Sequence, residues 1–419
     1  MISRNACYWI WITLSIGYNN PKVKRISEMY SDVSAFYYGG ISEWRFCGIF
    51  SQKDLERFSS NGLDDAKKIV DRCIECNYSI LCIDDELFPK CLYNIECPPA
   101  LIYINGVMPD IDNTFSIGIV GTRRATKYGI ENSYRFAYAL SKYGTIIVSG
   151  GALGVDGASH RGALATDGIT ICVRGCGLNC SYLRENSDIR STIPKRGAVI
   201  TEYPPDETPR NYYFPARNRI IAALSDGLLV MEAGKKSGSL ITANLAAEQG
   251  KTIFALLGNN SPQNEGSNAL IKEGLAIPVT DFMDILCEFD SLYATTDDEF
   301  DIDNISLADT GNFPVKGIRK QAPARIYVNK QNDRQPAKTA VPYVSEKSET
   351  VVQKPVHKEN LNLPKTAQDV YEYIGNEPVH IDKISADLKI PVFKVLTALT
   401  MLEMKDLVSA LQGRNYILK

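Results

Sequence analysis

Thr145-Ile146-Ile147-Val148-Ser149-Gly150-Gly151-Ala152-Leu153-Gly154-Val155-Asp156-Gly157-Ala158-Ser159-His160 is the stretch on which the fold turns. Ile146, Ile147 and Val148 are branched and apolar, the mark of a short buried strand. The glycines at 150, 151, 154 and 157 then remove side chains where the chain turns into a helix. A helix opened in this way points its first amides outward, so the stretch has the form of an anion-binding loop. Asp156 and His160 lie four apart on one face of that helix. No nucleophile is spaced to join them as acid and base, and the expected role is a local structural pairing.

Outward from this stretch, strands and helices alternate. Strands are predicted at 115–120, 145–149, 169–173, 198–202, 227–231 and 252–256, with helices such as 129–143, 155–167 and 239–249 between them. Such alternation implies an α/β fold: a parallel sheet with helices on both faces, its ligands bound outside the carboxyl ends of the strands.

Residues 1–85 read as a small helical domain, with helices at 21–30, 33–38, 52–59 and 63–77. The apolar run 9–16 imitates a signal peptide but is short and lacks a cleavage pattern before Asn19-Asn20-Pro21. Nothing in this domain has catalytic spacing, which fits a structural or docking module. From Tyr78 the period changes: 79–83 is strand-like, and Pro89, Pro98 and Pro99 break the chain before 101–104. The α/β domain is placed at 86–290.

Residues 291–365 lose periodicity, with acidic residues first, basic ones after, and six prolines from Pro314 to Pro364, so a disordered charged linker is expected. Its basic half either touches nucleic acid or is a solvated tether. In 366–419, helices at 367–374, 381–388 and 392–404 precede a hairpin around Gly413, the pattern of a winged helix. Its third helix offers Lys394, with Lys405 just beyond, around Val395, Leu396, Leu399 and Leu402. Protein contact is therefore at least as well supported there as base reading.

The chain has 419 residues, enough for several cores, and a net charge of −3. Without a global excess of Lys and Arg, any nucleic-acid site must be a local patch. Eleven cysteines are too few for a disulfide scaffold. The lone Cys73/Cys76 pair lies in a helical pattern without a second pair, so a reducing cytoplasm is the simpler reading and no metal is expected. No run reaches the ~18 apolar residues of a membrane span.

The loops at the predicted strand ends hold the candidate site. Gly121-Thr122-Arg123-Arg124 supplies amides, a hydroxyl and guanidinium groups, a set that binds phosphate. The alternative is that Arg123 only pairs with a neighbouring carboxylate. Ser149, Gly150 and Gly151 open the second loop; Gly175-Cys176-Gly177-Leu178-Asn179 precedes Tyr182, Arg184 and Asn186. Arg217, Asn218 and Arg219 follow Phe214-Pro215, where the arginines either hold phosphate or brace loops from below. Ser237, Gly238 and Ser239 again place amides and hydroxyls before a helix. Neither the GxGxxG dinucleotide fingerprint nor the P-loop pattern occurs.

Taken in order, GTR from Gly121, SGGALGVDGASH from Ser149, GCGLN from Gly175, FPARNRIIAALS from Phe214, SGSLITANLAAEQG from Ser237 and Gly266-Ser267-Asn268 resemble the DNA-processing protein A (DprA/Smf) family. The upstream piece from Phe88-Pro89 to Gly106 fits as well. The resemblance spans roughly 85–290. It implies an extended Rossmann-like parallel sheet, flanked here by the N-terminal small helical (SAM-like) domain and the C-terminal winged helix. It further implies a dimer that binds single-stranded DNA without a cofactor and helps load the RecA recombinase during natural transformation. Carried to residues, Gly121, Thr122, Arg123, Ser149, Gly150, Gly151, Arg184, Arg217, Asn218, Arg219, Ser237, Gly238 and Ser239 would line a DNA groove. Thr122 stands where the family usually has Ser, and Leu183 and Leu257 replace usual prolines, which bears on local loop shape. The competing expectation is a nucleotide enzyme such as an N-glycosidase of a related group. Its PGGxGTxxE signature needs a Glu three residues after the Thr, and Thr242 is followed by Ala243, Asn244 and Leu245.

Overall fold

A computed structural model describes residues 1–289 and, from Lys365 to Leu418, most of the C-terminal segment, as two separate units. The stretch expected to be a charged linker, 291–365, lies outside the described residues except for Lys365, which opens a helix.

The N-terminal module packs α2 (Lys22–Met29), α3 (Val33–Phe46), α4 (Gln52–Ser60) and α5 (Asp64–Glu75) around α1 (Ala6–Ile16). Helix α1 was not among the expected elements. Trp9, Ile10, Trp11 and Ile12 are all buried, so α1 is apolar on every side and carries no amphipathic period to read. The short run with its missing cleavage pattern is the centre of a core. Trp11 stacks among Phe36, Trp44 and Phe58 and donates its indole N–H to the Asn61 carbonyl at 2.7 Å.

The sheet begins earlier than the expected boundary at 85. Strand β1 (Ser79–Cys82) pairs antiparallel with β2 (Leu101–Gly106), the short helix α6 (Lys90–Tyr93) lying between them in sequence. Then follow β3 (Ser116–Val120), α7 (Lys127–Lys142), β4 (Ile146–Ser149), α8 (Val155–Leu164), β5 (Thr170–Val173), α9 (Ser187–Thr192), β6 (Ala198–Thr201) and α10 (Tyr213–Ala223). The unit closes with β7 (Gly227–Val230), α11 (Gly238–Glu248), β8 (Thr252–Leu256), α12 (Glu265–Lys272), β9 (Ile277–Val279) and α13 (Phe282–Glu288).

The nine strands lie in the order β1-β2-β6-β5-β4-β3-β7-β8-β9, parallel from β6 to β9 and antiparallel at the β1-β2-β6 edge. Ile117, Ile119, Ile147, Leu229 and Phe254 face one core, and Ile146, Val148, Leu228, Val230 and Ile253 the other. Burial on both faces explains why these strands read as continuous apolar runs. The chain steps from β3 through β4 and β5 to β6 on one side, then crosses over α10 to β7 on the other side of β3. The loops after β3 and β7 therefore diverge, opening a crevice at the carboxyl edge.

In the C-terminal unit, α14 (Lys365–Tyr373) and α15 (Ile381–Leu388) accompany a sheet of β10 (Val379–His380), β12 (Asn415–Leu418) and β11 (Val408–Leu411). Helical Val395, Leu399 and Leu402 are buried in this unit's own core with Val370, Ile374 and Ile384. These three residues of the third helix are thus internal and give no argument for a protein-docking face. Lys394 and Leu396 lie outside the described residues.

Candidate nucleic-acid interface

A cleft of about 380 Å³ opens at the crevice between β3 and β7. The Gly121–Arg124 loop, the first turn of α11 and the exposed side of α10 form its walls. A smaller recess, lined by Gly150, Gly151, Tyr182 and Leu183, adjoins it and shares Arg123, Phe214 and Arg217.

The Gly121–Arg124 loop is held from two sides. Thr122 donates its amide to the Glu232 carbonyl at 2.8 Å, and its carbonyl accepts from the Val155 amide at 3.3 Å. Gly154, at φ +76°, makes the second approach possible, because a Cβ there would lie 2.4 Å from the Thr122 carbonyl oxygen. Arg123 and Arg124 remain exposed. The Arg123 guanidinium lies 5.3 Å from the centre of the Phe214 ring and donates to the Tyr182 hydroxyl at 3.3 Å. The Tyr182 and Phe214 rings are themselves 5.3 Å apart. Arg123 is thus engaged with an aromatic face and a phenol, contacts that a phosphate oxygen can replace.

On the opposite wall, Ser237 caps α11, its hydroxyl accepting from the Ser239 amide at 3.4 Å and meeting the Ser239 hydroxyl at 2.8 Å. The helix therefore presents its positive end and two hydroxyls to the cleft. Behind this wall, the amides of Gly266 and Ser267 donate to the Ala233 carbonyl at 2.7 and 3.2 Å, so the Gly266-Ser267-Asn268 motif supports the α11 loop.

Of the other expected residues, Asn218, Gly150 and Gly151 line the cleft or its recess. Four depart from the expectation. Ser149 is fully buried and donates its hydroxyl to the Ile119 carbonyl at 2.6 Å, joining β4 to β3 rather than facing a ligand. Arg217 lines the cleft but is buried, donating to the carbonyls of Gly150, at 2.8 Å, and Val173. It is a brace for the glycine loop, the second of the two readings its sequence left open. Arg219 points away from the cleft and closes a bidentate pair with buried Glu202 at 3.0 and 2.7 Å, its Nε donating to the Cys97 carbonyl. Together with the Ala216 carbonyl these partners occupy four of its five N–H donors, so Arg219 is committed to a buried pair outside the cleft lining. Arg184 is exposed on a short turn outside the cleft lining.

Asp156 and His160 do not bond to each other. The Asp156 carboxylate accepts from the Ala152 amide at 3.2 Å; burial raises its pKa, and the Arg217 charge opposes that rise. Burial likewise lowers the pKa of Arg217, and the Asp156 charge opposes that fall. His160 Nδ1 lies 2.8 Å from the Thr170 hydroxyl, which itself donates to the Ile147 carbonyl at 2.7 Å. The hydroxyl must therefore accept, which places the imidazole proton on Nδ1. Burial drives the His160 pKa down to about 3, so it stays neutral as a core support.

Tyr182 and Phe214 stand in the candidate loops by sequence but are not among the residues expected to line the groove; the structure sets both rings beside Arg123. Asn186, named with the third loop but not among the residues expected to line the groove, is buried on a turn, donates to the Ala152 and Gly151 carbonyls at 2.8 and 3.2 Å and fixes the glycine loop laterally. Leu183 adopts φ +59°, a conformation closed to the proline that the family usually carries there.

Fold and cleft together define a Rossmann-like protein whose sheet switch point carries a crevice of arginines, a helix N-terminus and an aromatic ring. Comparison with known proteins gives the family: the model of DNA recombination-mediator protein A matches residues 79–290, and that of the DprA winged helix domain residues 357–414. The chain belongs to this family. It is 32% identical to protein Smf of Synechocystis over 346 residues, covering 81% of this chain and 80% of that protein. It is 39% identical to protein Smf of Escherichia coli over 212 residues, which span 50% of this chain and 56% of that one. The solved structure of DNA processing protein A from Streptococcus pneumoniae superposes with a TM-score of 0.60 at 31% identity, covering 67% of this chain and 97% of that one. The family match begins at β1, in agreement with the sheet starting at Ser79.

Proposed function

We propose that the chain binds single-stranded DNA in this cleft without chemistry, as a DNA-processing protein of natural transformation. One observation carries the reading: two exposed arginines and the N-terminus of α11 converge on a crevice walled on its third side by α10 with the Phe214 ring, and Tyr182 lies in the adjoining recess. Cationic groups track a phosphate backbone, and aromatic faces stack any base, so the combination suits an unpaired strand whose bases are free. The family description, recombination mediation, supports extending this to protection of incoming DNA and loading of the RecA recombinase; the homodimer implied by the resemblance and the reducing cytoplasm read from the cysteines belong to the same proposal.

A nucleotide N-glycosidase reading is less well supported, because Leu245 stands where its signature carboxylate is needed and Asp156, the acid in the cleft, is buried beside Arg217. Fluorescence anisotropy with an unstructured oligonucleotide and its duplex tests the proposal. Tighter binding of the single strand supports it; preference for the duplex, or release of free base from nucleoside monophosphates, overturns it.

A further inference from the structure

Glu232 lies two residues beyond the end of β7 and is 1% exposed, yet it reaches across the sheet edge to the loop that carries Arg123. Its carbonyl oxygen accepts from the Thr122 amide at 2.8 Å, at the start of that loop. Its carboxylate accepts from the Thr126 amide at 2.8 Å and the Thr126 hydroxyl at 2.5 Å, at the loop's end. One residue therefore fastens both ends of the segment that presents Arg123 and Arg124. The helix behind it is fitted to the same group: Thr126 caps α7, its hydroxyl accepting from the Gly129 amide, and a Cβ on Gly129 would lie 2.3 Å from the carboxylate.

The electrostatics favour this arrangement. The carboxylate faces the first turn of a 16-residue helix, whose amides and positive end stabilise its charge. Its hydrogen bonds go to Thr126 rather than to the guanidinium groups of the cleft, so those groups stay available to an incoming anion. Glu232 also begins the segment that leads to the Ser237 cap, so its position sets the Arg123 loop against the second anion-binding wall.

We infer that Glu232 is a positioning residue for the nucleic-acid cleft: it fixes the Arg123 loop relative to the N-terminus of α11, so that both engage one strand at once. This rests on the single-strand reading above. In effect, the β7 side of the crevice sets the geometry of the β3 side.

The test is a double-mutant cycle on single-strand affinity, measured by anisotropy across a salt series with the full chain. Glu232→Gln is expected to weaken binding roughly tenfold, the scale of a lost charged hydrogen-bond contact, and to lower the salt slope toward that of Arg123→Ala. In the Arg123→Ala background, Glu232→Gln should add almost nothing. Amide exchange at 121–126 should rise in Glu232→Gln while the thermal midpoint stays within a few degrees. Thr126→Val, which removes the hydroxyl from the other end of the same contact, repeats the cycle should Glu232→Gln fail to fold. If Arg123→Ala weakens binding while both loop variants bind as wild type, or if their losses add to that of Arg123→Ala, Glu232 does not act through Arg123. If Arg123→Ala itself binds as wild type, the cleft assignment fails and this inference with it.

Discussion

At the scale of single residues, the arginines divide by what they already touch. Arg219 has its donors closed by Glu202 and the Cys97 carbonyl, so Arg219→Met leaves a buried carboxylate unpaired, a loss of roughly 3–5 kcal/mol. Urea denaturation should show that loss, while the folded fraction keeps its DNA affinity; weakened binding at unchanged stability would return Arg219 to the cleft. His160 gives a pH signature. Its folded pKa, about 3, is below the ordinary 6.5, so the neutral form is the one the fold favours. Stability is full above pH 6.5 and falls below it by up to ~1.4 kcal/mol per unit, as the unfolded chain takes up a proton that the folded chain refuses. Thermal midpoints between pH 7 and 5 should fall in the wild type and flatten in His160→Gln; parallel curves would contradict the assignment. The sequence showed which arginines exist but not where each guanidinium ends, since that depends on Glu202 and Cys97, far from Arg219 in the chain.

At the scale of elements, legibility follows burial geometry. Strands β3 to β8 were readable because each is a short apolar run bounded by turn residues, and α11 because a Ser-Gly-Ser cap announces it. Helix α1 was not readable, being apolar on every side, and β9 was missed because Pro278 sits in the middle of an edge strand. The glycines of the opening stretch were read correctly as removing side chains, but what they make room for is the neighbouring loop as much as a ligand. Gly154→Ala tests this. It forces a Cβ against the Thr122 carbonyl at φ +76°, so a loss of roughly 1–3 kcal/mol is expected together with weaker DNA binding, read by thermal melting and anisotropy. Weaker binding without any loss of stability would instead mean that Gly154 meets the strand directly.

At the scale of the whole molecule, the described residues form two units with separate cores, and the cleft belongs entirely to the first. Tyr18 of the N-terminal module packs edge-on against Tyr203 and Tyr213, which ties that module to the start of α10, next to Phe214. A chain ending at residue 289 is therefore expected to fold and to bind single-stranded DNA; loss of binding would place part of the site beyond it. The alternation of strands and helices, and the motifs in their order, made the architecture and family legible from the sequence. The Gly121 and Ser237 loops were expected in one groove through the family resemblance, but which side chains of each loop face it was not legible, because that depends on the crossover from β6 to β7 past β3. The most direct test of the central claim is the salt dependence of single-strand binding in wild type and Arg123→Ala. The cleft predicts weaker binding and a log–log slope shallower by about 0.7, one phosphate contact fewer. Equal affinity and equal slope in the two proteins would contradict it.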